Sequence, residues 1–402
     1  MHYLLRCLLI SSWILILQIA PQFAKAQTIP ARGTEATLEV ATWNIEWFGH
    51  ANGPADDAGQ MANVKAVIEQ ADIDLWGVQE IADEQDFEAL LDALGDGYDG
   101  ALATQSGTQR IGFIYKTDVF SNIVFQHILT SATFAFAGRP PLQMAADVTF
   151  GGTTRRLTFI ALHMKCCGDQ ASYNRRIDAA QQLKNHIDLT QLDTEPVIIL
   201  GDFNDELTRS THAGQTSPYD IFLQDAANYF FPSLRLEQDG LGTFCTNNLC
   251  TTTGATIDHI LISDELIPDY ETDSAARFDE VAANIGSYGL TTSDHLPVFA
   301  RFFGASTAVE AEEMQEAIAV SPAYPNPFAQ RATLAYRLPR PAEVRVEVFD
   351  LLGRRVQTLA DGFRSVGAHR VTFDAAELPP GLYLIRFSAR GVVAVQRVVR
   401  MR

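Results

Sequence analysis

Five short apolar runs in this chain end or begin in groups that bind cations or move protons. Ala41-Thr42-Trp43-Asn44 ends in Asn44, and Leu75-Trp76-Gly77-Val78-Gln79-Glu80 ends in Glu80. Phe159-Ile160-Ala161-Leu162-His163 ends in His163. Val197-Ile198-Ile199-Leu200-Gly201-Asp202-Phe203-Asn204 ends in two oxygen donors, Asp202 and Asn204, spaced by two. Ser293-Asp294-His295-Leu296-Pro297-Val298 opens a run with an acid–imidazole pair. A carboxylate buried at an apolar strand end costs several kcal/mol unless it is paired or bound to a cation. Singly, each has a structural reading: Glu80 could start a helix, Asp202 could cap a turn, and His163 could be a satisfied core histidine. Together, and in this order, they imply a shared positive charge.

The elements that must hold these groups are legible as alternating patterns. Leu38–Asn44, Ile73–Val78, Arg110–Lys116, Leu157–His163, Val197–Gly201, Ile257–Ile262 and Leu296–Phe303 read as strands. Several are apolar on both faces, as buried strands are. Asp57–Gln70, Glu84–Leu94 and Ala171–Leu189 read as amphipathic helices. Mixed elements over residues 36–304 predict an α+β domain built on two buried sheets. From Ser321 onward the texture changes. Runs about ten residues apart, separated by turn signals such as Pro379-Pro380-Gly381, predict a small all-β sandwich. It carries no catalytic constellation.

Charge separates the two parts. The chain has 402 residues, 47% of them apolar, and a net charge of −19. That balance excludes a basic nucleic-acid coat protein. Yet the segment from Ser321 to the end holds 13 arginines against six acids. The part before it is therefore strongly acidic. Residues 305–319, with Glu310, Glu312, Glu313 and Glu316 among small residues, read as an acidic linker.

Residues 1–26 read as a secretory signal peptide. Arg6 precedes an apolar run from Cys7 to Ala20, and Ala24-Lys25-Ala26 is a small-x-small cleavage site. The run is short for a membrane anchor, so no stable span is expected in the mature chain. Export leaves Cys166, Cys167, Cys245 and Cys250 in an oxidising compartment. Four cysteines allow three pairings. Cys245 with Cys250 closes a short loop and is the easiest pair to join, which would leave Cys166 and Cys167 to form a strained vicinal bridge; cross-pairing of the two segments is the rival.

The chemical segments resemble the endonuclease/exonuclease/phosphatase superfamily, which includes pancreatic-type deoxyribonuclease, abasic-site endonuclease and neutral sphingomyelinase. Gly201-Asp202-Phe203-Asn204 and Ser293-Asp294-His295-Leu296-Pro297-Val298 are the most specific pieces, with Trp43-Asn44-Ile45 and Gln79-Glu80 in the expected order. The resemblance spans about Glu39 to Phe303 and implies a four-layer α/β/β/α sandwich with its site at one edge of the packed sheets. It implies that Asn44, Glu80 and Asp294 hold a divalent cation; oxygen ligands without a thiolate favour Mg²⁺, with Mn²⁺ or Ca²⁺ as substitutes. Asp202 would activate or orient water, and Asn204 would orient the phosphate. His163 and His295 would contact phosphate or transfer protons, and Asp258 would hold one ring nitrogen of His295. Arg110 would contact phosphate. Some secreted members carry a glutamate near the Gln109 position to orient the first histidine; here the residue is neutral. Arg175 and Arg176 read as surface or substrate-rim residues.

Residues 320–402 resemble a type IX secretion sorting domain through Tyr324-Pro325-Asn326-Pro327-Phe328, Val348-Phe349-Asp350-Leu351-Leu352-Gly353-Arg354 and Gly381-Leu382-Tyr383-Leu384. This implies the type IX machinery as a partner and a secreted or cell-surface product. The expected function is a secreted, metal-dependent phosphodiesterase, an endonuclease on extracellular DNA or RNA. A phospholipid or small phosphodiester is the second substrate class, and an inactive binding protein of the same fold is the third reading.

Overall fold

Three helices begin where the sequence supplies an aspartate to cap them. In the computed structural model, Asp56 accepts from the Gly59 N–H ahead of α1 (Asp57–Ala71). Asp83 accepts from the Gln85 and Asp86 N–H groups ahead of α2 (Glu84–Leu94), and Asp169 from those of Ala171 and Ser172 ahead of α3 (Gln170–Asp188). Each such cap satisfies helix N–H groups that have no carbonyl partner and is worth about 1 kcal/mol. The structure describes residues 29–104, 107–303, 318–338, 341–351, 354–365, 367–389 and 392–401. The expected signal peptide and most of the expected acidic linker lie outside the described residues.

Compactness divides the chain into a first unit that ends at Phe302 and a second that runs from Phe303 and also takes in the short turn Phe150–Thr153. The first unit contains β1 (Thr37–Phe48), β2 (Leu75–Ile81), β3 (Tyr98–Leu102), β4 (Arg110–Lys116), β5 (Phe120–His127) and β6 (Leu142–Phe150). It continues with β7 (Thr153–His163), β8 (Val197–Asp202), β9 (Tyr229–Phe230), β10 (Asp258–Ser263), β11 (Ala276–Arg277) and β12 (Val298–Phe303). One six-stranded sheet runs β11-β12-β1-β2-β4-β3, and the other β5-β6-β7-β8-β10-β9. The sequence reading omitted β3, β5, β6 and the two-residue strands β9 and β11. β5 is an edge strand whose residues are mostly exposed or half-buried, and β6 alternates buried with half-covered positions, so neither forms a continuous apolar run.

Side-chain parity assigns the faces. Ala41, Trp43 and Ile45 of β1 cluster with Val64, Val67 and Ile68 of α1 and with Phe87 and Leu90 of α2. The alternate residues Val40, Thr42 and Asn44 are equally buried but point the other way. There the second sheet covers them: a Cβ placed on Gly77 of β2 would come within 3.0 Å of the Leu200 Cβ of β8. On the far side, Ile160, Leu162, Ile199 and Leu261 pack on Ala179, Ala180, Leu183 and Ile187 of α3. The result is the helix–sheet–sheet–helix sandwich expected from sequence.

On β10 the same parity turns His259 away from the inter-sheet face. It lies fully buried, with Phe203 and Phe231 edge-on to its ring. Its Nε2 is 3.1 Å from the Asp205 carbonyl, which needs a donor, and its Nδ1 is 3.1 Å from the Ser233 hydroxyl. Burial lowers its pKa from 6.5 to about 4. Between those values the unfolded chain binds the extra proton, so stability falls as pH falls through the window. We expect this residue to cost about 3 kcal/mol between pH 6.5 and 4. Urea unfolding of the wild type and of His259→Gln across that range is the check. An identical pH slope in both proteins would remove His259 as the cause.

The second unit contains β13 (Ala319–Val320), β14 (Arg331–Leu338), β15 (Ala342–Phe349), β16 (Arg355–Arg364), β17 (Gly367–Asp374), β18 (Gly381–Ala389) and β19 (Val392–Arg400). They form a β13-β14-β17 sheet and a β16-β15-β18-β19 sheet. Leu334, Tyr336, Val344, Val346, Phe373, Ile385 and Phe387 share one core.

Candidate active site

The register brings the chemical strand ends into one row. β1 and β2 are parallel, with Asn44 opposite Gln79, one residue before Glu80. β7 and β8 are parallel, with His163 opposite Asp202, and antiparallel β10 sets Asp258 on the other side of Asp202. His163, Asp202 and Asp258 are thus neighbours across three strands. Asn44 joins them from the facing sheet, its Nδ2 donating to Asp202 Oδ2 at 3.1 Å. His163 Nε2 lies 3.5 Å from that same oxygen and 3.8 Å from Glu80 Oε1.

His295 enters just before β12. Its Nδ1 is 2.8 Å from Asp258 Oδ2, an oxygen that also accepts from the Thr243 hydroxyl at 2.6 Å. Its backbone is fixed as well: the carbonyl accepts from Trp43 Nε1 and the Tyr288 hydroxyl. Ser293 donates to the Asn44 carbonyl at 2.6 Å and accepts from the His295 N–H. His295 Nε2 is 3.9 Å from Asp294 Oδ1.

The two histidines carry opposite charge states. Burial, with Arg139, His295 and Lys165 nearby, pushes His163 well below 6.5, so it is neutral. Burial also works against charge on His295, but the charge and hydrogen bond of Asp258, helped by Asp202 and Asp294, hold it well above 6.5. Asp202 is pushed up to about 7, first by burial, with His295 opposing and Asp258 adding to the rise. A base of that strength, beside an imidazolium, can exchange protons near neutrality.

Asn204 and Glu80 occupy left-handed backbone, at φ 53° and 60°, as do Glu46 at 30° and Trp47 at 50°. Non-glycine residues adopt this region at a cost and cluster where function needs it. For Asn204 the turn is tied by its N–H donating to Asp202 Oδ1 at 2.8 Å, while its amide donates to the Met164 carbonyl at 3.3 Å.

Sequence reasoning missed Glu46, Arg139 and Thr243. Burial, with Asp294 and Glu80 facing it, pushes Glu46 up to about 7, and its Oε2 is buried without a hydrogen-bond partner. Its position two residues beyond Asn44 was the available signal. The oxygens of Asn44, Glu46, Glu80 and Asp294, with Asp294 and Glu80 acting electrostatically on Glu46, are of a kind that could hold a hard divalent cation. Asp202, Asp258 and His295 also present donor atoms within 4.8 Å of one another. A protonated His295 whose Nδ1 already faces Asp258 is no ligand, so this second group suits proton transfer better. Arg139 donates to the carbonyls of His163 and Met164 and to Gln109 Oε1, at 3.1–3.3 Å. Gln109 thus engages Arg139, and His163 Nδ1 is left without a partner. Arg110 sits at the start of β4, its guanidinium 3.6 Å from Glu84.

Arg175 is half-buried, its guanidinium 4.2 Å over the Phe134 ring and donating to the Phe134 carbonyl. Arg176 corrects the sequence reading. It is fully buried, paired with the equally buried Asp205 at 2.9 Å, because α3 turns it inward beneath the loops after β7 and β8. Cys245 and Cys250 form a disulfide with Cα atoms 4.9 Å apart, whereas Cys166 and Cys167 are free and exposed.

The profile of the endonuclease/exonuclease/phosphatase family matches residues 41–295. The chain belongs to that family. Its members are divalent-metal-dependent hydrolases of phosphoester bonds. The profile of the secretion system C-terminal sorting domain matches residues 322–401. The family protein is accordingly exported by the type IX route to the cell surface or beyond. No helix among the described residues is long and apolar enough to cross a membrane. Similar solved structures include the human nocturnin catalytic domain, at 18% identity and TM-score 0.47 over 67% of this chain and 95% of that one. A mannosyl-6-phosphatase from Bacteroides thetaiotaomicron shows 20% identity and TM-score 0.46 over 65% and 98%. A family member from Beutenbergia cavernae shows 17% and 0.48 over 90% and 100%. No curated protein matches the chain in sequence.

Proposed function

We propose that the exported protein is a Mg²⁺-dependent phosphodiesterase, an endonuclease acting on extracellular DNA or RNA. The observation that carries the phosphodiesterase reading is the 2.8 Å Asp258–His295 pair set beside Asp202 and next to the Asn44, Glu46, Glu80 and Asp294 oxygens. A cation held by Asn44, Glu80 and Asp294, with Glu46 beside them, would offset negative charge developing on the phosphoryl group. Asp202 takes a proton from the attacking water or orients it. His295, charged through Asp258, stabilises the phosphoryl oxygens or protonates the leaving oxygen. Neutral His163 bonds to a phosphoryl oxygen or relays a proton. Asn204 donates to the phosphate, and Arg110 at the strand edge adds a charged contact.

The net charge of −19 favours a second reading, a phospholipid or other small phosphodiester, because nucleic-acid affinity leans on Lys and Arg. The discriminating assay compares plasmid DNA, RNA, sphingomyelin and a generic aryl phosphodiester, each with Mg²⁺ and with chelator. Cleavage of plasmid to internal fragments supports the endonuclease. Cleavage of the small esters alone moves the substrate to the second class, and no chelator-sensitive hydrolysis of any substrate defeats both.

Glu80→Gln tests the cation assignment. Loss of one anionic ligand is expected to raise the Mg²⁺ midpoint about tenfold or more, with activity partly recovered at high metal by mass action. A metal titration with an unchanged midpoint would take Glu80 out of the ligand set.

A further inference from the structure

The loop that follows His163 holds two adjacent thiols that the proposed reaction does not use. Cys166 Sγ and Cys167 Sγ are 2.8 Å apart, and both residues are exposed. Two sulfurs in ordinary contact stay farther apart, and a disulfide needs about 2.05 Å. Cys167 adopts φ 85°, a conformation rare for residues other than glycine, which turns both side chains to one side. The backbone around them is clamped: Arg176 donates to the Lys165 carbonyl at 2.7 Å and to the Cys167 carbonyl at 2.9 Å. The sulfurs therefore face each other on a fixed loop.

We propose that Cys166 and Cys167 are a redox site, closing reversibly to a vicinal disulfide with small-molecule disulfides as oxidant. Export by the sorting domain removes the chain from the reducing cytosol, so such oxidants meet the loop. Cys166 is the attacking sulfur. Lys165 Nζ lies 3.1 Å from it, and the charges of Lys165 and Arg139 favour its thiolate. The thiolate breaks the S–S bond of the oxidant, forming a mixed disulfide and releasing one thiolate. The Cys167 sulfur, deprotonated, then attacks Cys166 Sγ and expels the second. The two cysteine protons end on two small thiols, and two electrons pass to the oxidant.

Adjacent Cα atoms are held about 3.8 Å apart, below the ordinary disulfide range of about 4.4–6.8 Å. The vicinal ring is thus strained and easily reduced. It should open under mild reductant while the Cys245–Cys250 bridge persists.

The test uses the exported chain, equilibrated with oxidised glutathione, alkylated and mapped by mass spectrometry without reduction. The peptide holding Cys166 and Cys167 should lose alkylation roughly tenfold or more and carry an internal disulfide. Mild dithiothreitol should restore labelling there before it does at Cys245 and Cys250. In Cys167→Ser, Cys166 should instead retain one glutathione, because the resolving sulfur is gone. Full alkylation of both thiols after oxidation would overturn the proposal. So would a stable glutathione adduct on the wild type, or a bridge from either residue to Cys245 or Cys250. None of these readouts depends on hydrolytic activity.

Discussion

His295→Ala is expected to fold normally and lose about 10²–10⁴ in turnover, with no recovery at saturating Mg²⁺. The imidazole is held by Asp258 at 2.8 Å, and its cost of burial is offset by three surrounding carboxylates. Alanine removes the one protonated ring in the row and leaves Asp258 buried without it. Extra cation cannot substitute, because His295 is charged and contributes no lone pair to a metal. Asp202→Asn is expected to fall by a similar factor for a different reason: the amide oxygen can accept from only one of Asn44 Nδ2 and the Asn204 N–H, and the group cannot take up a proton. The contrast with Glu80→Gln matters, since that defect is expected to respond to metal. The measurements are turnover against Mg²⁺ for each variant, with circular dichroism to confirm folding. Wild-type turnover in His295→Ala at saturating metal would falsify the assigned chemistry, whatever the substrate.

Arg176→Met is expected to destabilise the first unit by about 3–5 kcal/mol, an effect on folding rather than on chemistry. Arg176 and Asp205 are both fully buried, and each supplies the opposite charge that offsets the other's desolvation. Asp205 also accepts from the Ser210 hydroxyl at 2.7 Å and from the Thr211 N–H. Removing the guanidinium leaves that carboxylate uncompensated and frees the Lys165 and Cys167 carbonyls it bonds. Asp205→Asn should cost nearly as much, and the double variant much less than the sum of the two, since neither charge is then stranded. Urea denaturation of the four proteins is the measurement. Strict additivity would mean that the two residues act separately.

Strand identity and the chemical residues were legible because both are local properties. An apolar run ending in Asp202-Phe203-Asn204 or beginning at Asp294-His295 announces its own type and its own donor atoms. Parity did the rest: once Ile199 faces a helix, Leu200 and Asp202 must face the other sheet. Helix starts were equally local, since an aspartate at Asp83 or Asp169 caps within three residues.

Convergence was not local. Asn44 and Asp202 are separated by 158 residues, and their contact exists only because two sheets pack face to face. Arg139 carries no signal, since its loop has no periodicity and its role is to bond carbonyls two elements away. Arg176 was misplaced because a charge reads as surface until its partner is seen, and Asp205 comes from another loop. Glu46 lay in plain view beside Asn44, but its value depends on Glu80 and Asp294 converging on it. What each strand end can donate is written in its own few residues. Which donors share one electrostatic environment depends on sheet order and register, because burial and Coulomb interaction act through space and not along the chain.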